Sequence, residues 1–302
     1  TGRHYNINSK SGRLQVLFTD SDQRNNIYNT DIASYYENME CIEEMHHPYV
    51  VITPDYMVYT ADFSKLIEQH IQSEADITLL CHAVDNAKDA YLNCNILNLN
   101  KQKGVLSIEP NHGNAKNRNI FMDTYIMKKD LLVDLIKKAR ATSSAFTLTD
   151  IINELHNDLD VRGISHRGFF ASITDFQSYY DANMDLINIK TAQTLFDSEW
   201  PIYTRTNDSC PTHYYGTAEI RNSVVSNGCQ VEGTIENSIL GRGCIIHKGA
   251  VIKNSVVLAG AEIGEGVHVE NQVVDKLAKI LHVKEVVSDP ALPGYIKRGD
   301  II

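Results

Sequence analysis

Two patterns in the sequence predict an α/β domain followed by a parallel β-helix. The first is a strict beat of six, in which Ile239, Ile245, Val251, Val257, Ile263 and Val269 are all apolar. A second apolar rail runs one position later, at Leu240, Ile246, Ile252 and Leu258. Helices repeat every ~3.6 residues and strands every ~2, so neither accounts for a sustained six. Stacked coils do, when each of their short flats sends one aliphatic side chain to the axis. The intervening corners (Asn227-Gly228-Cys229, Gly241-Arg242-Gly243-Cys244, Lys248-Gly249, Ala259-Gly260, Gly264-Glu265-Gly266) are rich in residues that are small or tolerate φ > 0. The second pattern is the alternation of strand and helix signals over residues 1–187, which implies a mostly parallel sheet with crossover helices.

Each element of the first domain has its own local signal. Thr30 is placed to cap a helix over 31–45 whose apolar face carries Ile32, Tyr35, Met39 and Ile42. Tyr49-Val50-Val51-Ile52-Thr53 is a short buried strand stopped by Pro54. Phe63, Leu66, Ile67, His70 and Ile71 trace a helical stripe, and Asp76–Val84 alternates Ile77, Leu79 and Cys81 as the next strand. Asn95–Leu99 and Gly104–Ile108 form a hairpin around Lys101-Gln102-Lys103-Gly104. Helices follow at 129–140, at 149–157 (opened by Thr149-Asp150) and at 176–189 on Phe176, Tyr180, Met184 and Ile187. The domains divide as 1–187, a Pro-bearing linker over 188–212, and 213–302, where the coils run to about 275 and a tail packs on them.

The totals exclude several classes. A formal net charge of −10 without a long basic run argues against nucleic acid binding. No run of about 18 apolar residues suggests a membrane span. Cys41, Cys81, Cys94, Cys210, Cys229 and Cys244 form no CxxC pair and suit reduced thiols in a cytoplasmic protein. The opening Thr1-Gly2-Arg3-His4-Tyr5 has no initiator Met or signal pattern and looks like the middle of a domain.

Three segments carry a family resemblance. Tyr179-Tyr180-Asp181-Ala182-Asn183-Met184-Asp185-Leu186 resembles the "SYYEANMDL" helix of the glucose-1-phosphate adenylyltransferases, the enzymes that make ADP-glucose for glycogen or starch. Val51–Phe63 resembles their "ILSGDHIYKMDY" segment. Gly294-Tyr295-Ile296-Lys297-Arg298-Gly299-Asp300 resembles the ending of the D-type subunit that accompanies the catalytic one in glycogen biosynthesis. The resemblance implies a Rossmann-like nucleotidyltransferase sheet, whose N-terminal part with its Gly-rich phosphate loop precedes this segment, and a left-handed β-helix. Ser11-Gly12-Arg13 is too short to be that loop.

The resemblance also marks where the catalytic chemistry should lie. Nucleotidyl transfer neutralises phosphate charge with Mg²⁺ on carboxylates and with basic side chains. Aligned on Tyr59 and Asp62-Phe63, Tyr56 takes the position of one metal-binding Asp, and Asp55 stands one residue out of register as a possible surrogate. Counted back from Ser178-Tyr179-Tyr180, Ser172 takes the position of the second. A hydroxyl is a poor substitute, because hard cations favour charged oxygens. Around the sugar phosphate, Ser107-Ile108-Glu109-Pro110 keeps the Glu and Pro of "EKP" without its Lys, and Asp123 replaces a Gly. The altered pocket, with Glu109 and Asp123 at the substrate positions, implies that catalysis is lost.

The expectation is therefore a non-catalytic regulatory or assembly subunit that needs no cofactor of its own. Mg²⁺ belongs to the catalytic glucose-1-phosphate adenylyltransferase subunit, its partner in a hetero-tetramer, and a sugar-phosphate or nucleotide effector is possible. Two rivals remain. One is an active sugar-1-phosphate nucleotidyltransferase using Asp55, and the other a hexapeptide acyltransferase using His247 or His268. His46-His47-Pro48 and Lys137-Lys138-Ala139-Arg140 fit helix ends better than a ligand set.

Overall fold

The computed structural model describes residues 14–18, 30–142, 145–196, 202 and 208–302. Two compact units divide the chain, Thr1–Asp55 with Asp62–His166, and Tyr56–Ala61 with Arg167–Ile302.

In the first unit, Thr30 caps helix α1 (Asp31–Glu37) by accepting from the Ala33 amide at 3.2 Å. The expected single helix to residue 45 is broken at Asn38, beyond which α2 spans Met39–Glu43. Strands β1 (Tyr49–Ile52), β3 (Ile77–Val84), β4 (Asn95–Leu99), β5 (Val105–Pro110), β6 (Arg118–Lys128) and β7 (Val161–His166) form one sheet, while β2 (Met57–Tyr59) belongs to the other unit. Helix α3 (Phe63–Ser73) precedes β3, and α4 (Lys129–Ala141) and α5 (Leu148–Glu154) follow β6.

Strand direction departs from expectation. The sheet is mixed, and among its own described strands only β3 and β7 pair in parallel. β6 runs antiparallel to β1, β3 and β4, and β4–β5 is the expected hairpin. Strands β2, β6 and β7 are not among the expected elements, and β6 is the longest of them. Its stretch Ile120-Phe121-Met122 and Tyr125-Ile126-Met127 is buried on both faces, so it lacks the alternation that marks a half-exposed strand. Helix α5 is opened by Thr147 rather than Thr149. The Thr147 hydroxyl accepts from the Asp150 amide at 3.2 Å, and Asp150 accepts from the Thr147 amide at 2.9 Å, a reciprocal cap.

The second unit is a parallel β-solenoid with three faces. One face stacks Glu219–Arg221, Thr234–Glu236, Val251–Lys253, His268–Glu270 and Glu285–Val287, and the other two repeat the arrangement. The expected tail is its continuation, since Lys279–Ile280, Glu285–Val287 and Gly294–Ile296 each extend a face. The beat needs correction too. Ile239, Ile245 and Val251 are only half-buried, and the axis is filled by Leu240, Ile246 and Ile252, then by Val257, Ile263 and Val269. The rails exchange roles because one corner per coil is a residue shorter. Ile235, Ile252 and Val269 stack at intervals of seventeen residues, not eighteen. Asn237, Asn254 and Asn271 turn those short corners at φ 45°, 44° and 55°, where Asn is the best-tolerated side chain. Ser238 and Ser255 follow, and their hydroxyls accept from the Ser255 and Gln272 amides of the next coil, each at 3.1 Å.

Helix α6 (Phe176–Asp185) also belongs to this unit, so the division departs from the boundary expected at 187. Tyr180 packs with Val256 and Val273, and Tyr179, Met184 and Leu258 surround them. The stretch expected as linker contains α7 (Ile189–Leu195), capped by Asn188.

Candidate functional site

The two positions that resemblance assigns to metal-binding carboxylates meet on one small ladder. β2 pairs antiparallel with β8 (Phe170–Ser172), which sets Met57 opposite Ser172. The Ile173 amide then donates to the Tyr56 carbonyl at 2.8 Å. The ladder is held from behind, where Val58 packs with Phe169, Ala171 and Leu195. Tyr56 and Ser172 thus lie at the same end of the ladder, with Ser172 only 5% exposed. What they present is a phenol and a hydroxyl, neither of which is a carboxylate. Mg²⁺ holds its shell on charged oxygens, so this donor pair does not fit the ion and no chemical step is derived through it. Among the described residues, no group of three or more His, Cys, Asp or Glu side chains could hold a metal.

Asp55 is exposed and falls in the other compact unit, on the far side of the division from Tyr56. Its charge acts on Asp31, whose carboxyl is pushed up by burial first and by Asp55 second.

Asp123 sits at a break in the β3–β6 register, between the Leu79–Tyr125 and Cys81–Phe121 pairs. Its φ is 42°, a conformation natural to glycine. That is the physical sense of the Gly in the family pattern, and an Asp there carries backbone strain on the order of 1 kcal/mol. Its carboxyl is also pushed up to about 6, by burial first and by the Asp31 charge second. Burial likewise pushes the Tyr35 phenol up to about 12, with Asp31 and Asp123 adding to it. Tyr125 is raised for the same reasons and shares a 2.9 Å hydrogen bond with Thr149. The surroundings of Asp123 therefore disfavour a second negative charge. Asp31 and Tyr35 were legible only as a helix start; nothing in sequence order places them beside Asp123. Glu109 is exposed and accepts from the Ser107 hydroxyl at 2.6 Å.

The rival histidines are engaged on the solenoid. His247 Nε2 lies 3.0 Å from Glu262 Oε1, and Lys279 reaches the other oxygen of Glu262 at 2.8 Å. His268 Nε2 lies 3.1 Å from Glu270 Oε2, without hydrogen-bond geometry. None of the six cysteines is in a disulfide, and no helix among the described residues is long and apolar enough to cross a membrane. Residues 1–13, including Ser11-Gly12-Arg13, lie outside the described residues.

A mixed α/β sheet followed in one chain by a hexapeptide solenoid defines a nucleotidyltransferase-type protein. The chain belongs to the nucleotidyl transferase family, whose model matches residues 5–189. A second model, the GlmU-like C-terminal hexapeptide, matches residues 212–292. Among curated proteins, the chain is similar to the glucose-1-phosphate adenylyltransferase of Clostridium perfringens (strain 13 / Type A), with 28% identity over 83% of this chain and 65% of that protein. It is similar to that of Clostridioides difficile (strain 630), with 25% identity over 83% of this chain and 66% of that one. For Geobacillus stearothermophilus the figures are 29% identity, 75% and 59%. The chain thus spans between 59% and 66% of the length of these relatives.

Proposed function

We propose that this chain is a non-catalytic regulatory or assembly subunit of a glucose-1-phosphate adenylyltransferase, acting beside a catalytic subunit in ADP-glucose synthesis for glycogen. The observation that carries this reading is the Tyr56–Ser172 ladder. It keeps the strand pairing yet offers no carboxylate at either position. Asp123 supports it, because a buried acidic group beside Asp31 repels a sugar phosphate. Mg²⁺ would then be held by the catalytic partner, and assembly would be hetero-oligomeric, in the cytoplasm. Such a subunit acts by biasing its partner between states, which requires different contacts in each. Assayed alone, it should give no ADP-glucose above background. Added to the catalytic subunit, it should change that subunit's turnover or effector response. Mixing that leaves both unaltered removes the proposal.

The second reading is an active sugar-1-phosphate nucleotidyltransferase, favoured by the exposed carboxylate of Asp55 next in sequence to Tyr56. It predicts activity of the isolated full-length protein, abolished by Asp55→Asn.

A further inference from the structure

The apolar stripe of α3 contains a residue that its helical face does not explain. Aliphatic neighbours Leu66, Ile67 and Ile71 suit that face, but His70 is only 2% exposed within it. Its Nδ1 lies 2.8 Å from the Thr78 hydroxyl. Its ring packs edge-on against Tyr49, with centroids 5.6 Å apart. The opposite nitrogen, Nε2, has no protein partner among the described residues, although His70 lines a cavity of about 370 Å³. His70 is thus a buried side chain with one ring nitrogen left for whatever occupies the cavity.

The rest of the lining says what could. Lys128 lies directly across the β1–β6 ladder from Tyr49 and forms no ion pair among the described residues. It is also the N-cap of the thirteen-residue helix α4, whose Lys129 amide donates to the Pro48 carbonyl at 2.8 Å and whose first turn carries Asp130, so the cavity's positive charge is that of Lys128 itself. Leu131 of the first turn and Ile71 supply apolar wall. Two acidic groups, Glu74 and Asp76, also line the cavity, and the charge of Asp76 reaches His70. Asp76 accepts from the Asp160 amide at 2.9 Å, and the charge of Glu74 acts on Arg162.

We propose that this cavity is a binding site for the phosphate or carboxylate group of a small metabolite. Lys128 supplies the charge, and His70 Nε2–H the oriented donor. In this arrangement the Thr78 hydroxyl would donate to Nδ1, 2.8 Å away, and the ring proton would sit on Nε2. In the free protein, burial first and the Lys128 charge second hold the imidazole below its ordinary range, with Asp76 opposing them. An anion between His70 and Lys128 reverses that balance, so binding raises the histidine's pKa.

The test is a titration of the full chain with inorganic phosphate, followed by the imidazole resonances of His70. Sodium acetate forms a parallel arm, and sodium chloride controls for ionic strength. Phosphate or acetate should shift the His70 signals saturably and raise the pH at which they titrate. The tighter of the two anions assigns the site to phosphates or to carboxylates. Lys128→Gln, an exposed substitution that leaves the fold intact, should weaken that binding about tenfold or more, as expected for a lost charge-assisted contact. His70→Gln should weaken it as well. A His70 signal unmoved by both anions, a shift reproduced by chloride, or unchanged affinity in Lys128→Gln overturns the proposal.

Discussion

The Tyr180 hydroxyl donates to the Asn254 carbonyl oxygen at 2.5 Å, fastening helix α6 to one of the short corners of the solenoid. The bond ties the motif that most resembles the adenylyltransferases to the corner that sets the coil length. It also explains why α6 belongs with the coils. Its aromatic face covers Val256 and Val273, two side chains buried by the helix rather than by the solenoid axis.

Tyr180→Phe keeps the packing and removes the donor. The Asn254 carbonyl is left without this partner, so unfolding should cost about 1–2 kcal/mol less, read as a lower denaturant midpoint at unchanged slope. Tyr180→Ala should lose about 3–5 kcal/mol, because it also opens a cavity over Val256 and Val273. Equal losses for the two variants would show that the hydrogen bond, rather than the covering ring, holds the helix.

Asp123 predicts an inverted pH dependence. Its carboxyl titrates at about 6 in the folded protein, against 3.8 for an ordinary aspartate. Between those values the native state binds a proton that the unfolded chain has released, so stability falls as pH rises through this window. The penalty is complete above about pH 6 and amounts to at most about 3 kcal/mol. Asp123→Gly should remove it and relieve the left-handed backbone strain as well. Denaturation at pH 4.5 and pH 7.5 (roughly the two ends of the window) should show the variant gaining most at the higher value.

Glu262 predicts the opposite sign with a smaller amplitude. The Lys279 ammonium first, and His247 second, hold its carboxyl below the ordinary range. That contribution is present above the unfolded value and is lost as pH falls through the folded one. The groups are partly exposed, so Glu262→Gln should cost no more than about 1 kcal/mol at neutral pH. High salt should shrink the difference. A loss that salt leaves unchanged would place the pair's contribution in hydrogen bonding rather than charge.

How much of this was legible in the sequence depends on whether a signal was local. The solenoid was legible because each coil repeats its own core, and the hairpin at Lys101–Gly104 because Asn100 accepts from the Gln102 and Gly104 amides within one turn. The short corners were not, because counting apolar residues alone cannot tell an inward rail from an outward one. Strand β6 was hidden by burial on both faces, which erases alternation. At the candidate site, Tyr56 and Ser172 were identified through resemblance, and their pairing needed the β2–β8 ladder. The effect of Asp31 on Asp123 joins residues far apart in sequence, so no motif could have announced it.

The short corners give a direct test of the corrected coil length. Asn254 adopts φ 44°, a region that Gly occupies freely, Asn tolerates and β-branched residues resist. Asn254→Gly should therefore change stability by less than about 1 kcal/mol, with lost side-chain contacts offset by an easier backbone. Asn254→Val should cost about 2 kcal/mol or more, because its branched carbon meets the backbone in that conformation. The same pair of substitutions at Lys253, which precedes the corner on a flat, should reverse the order. Val suits an extended, half-exposed strand position and Gly weakens it. Thermal unfolding of the four variants decides the matter. If Val is tolerated at 254 and Gly is not, the corner is not turned by left-handed backbone, and the seventeen-residue coil has another origin.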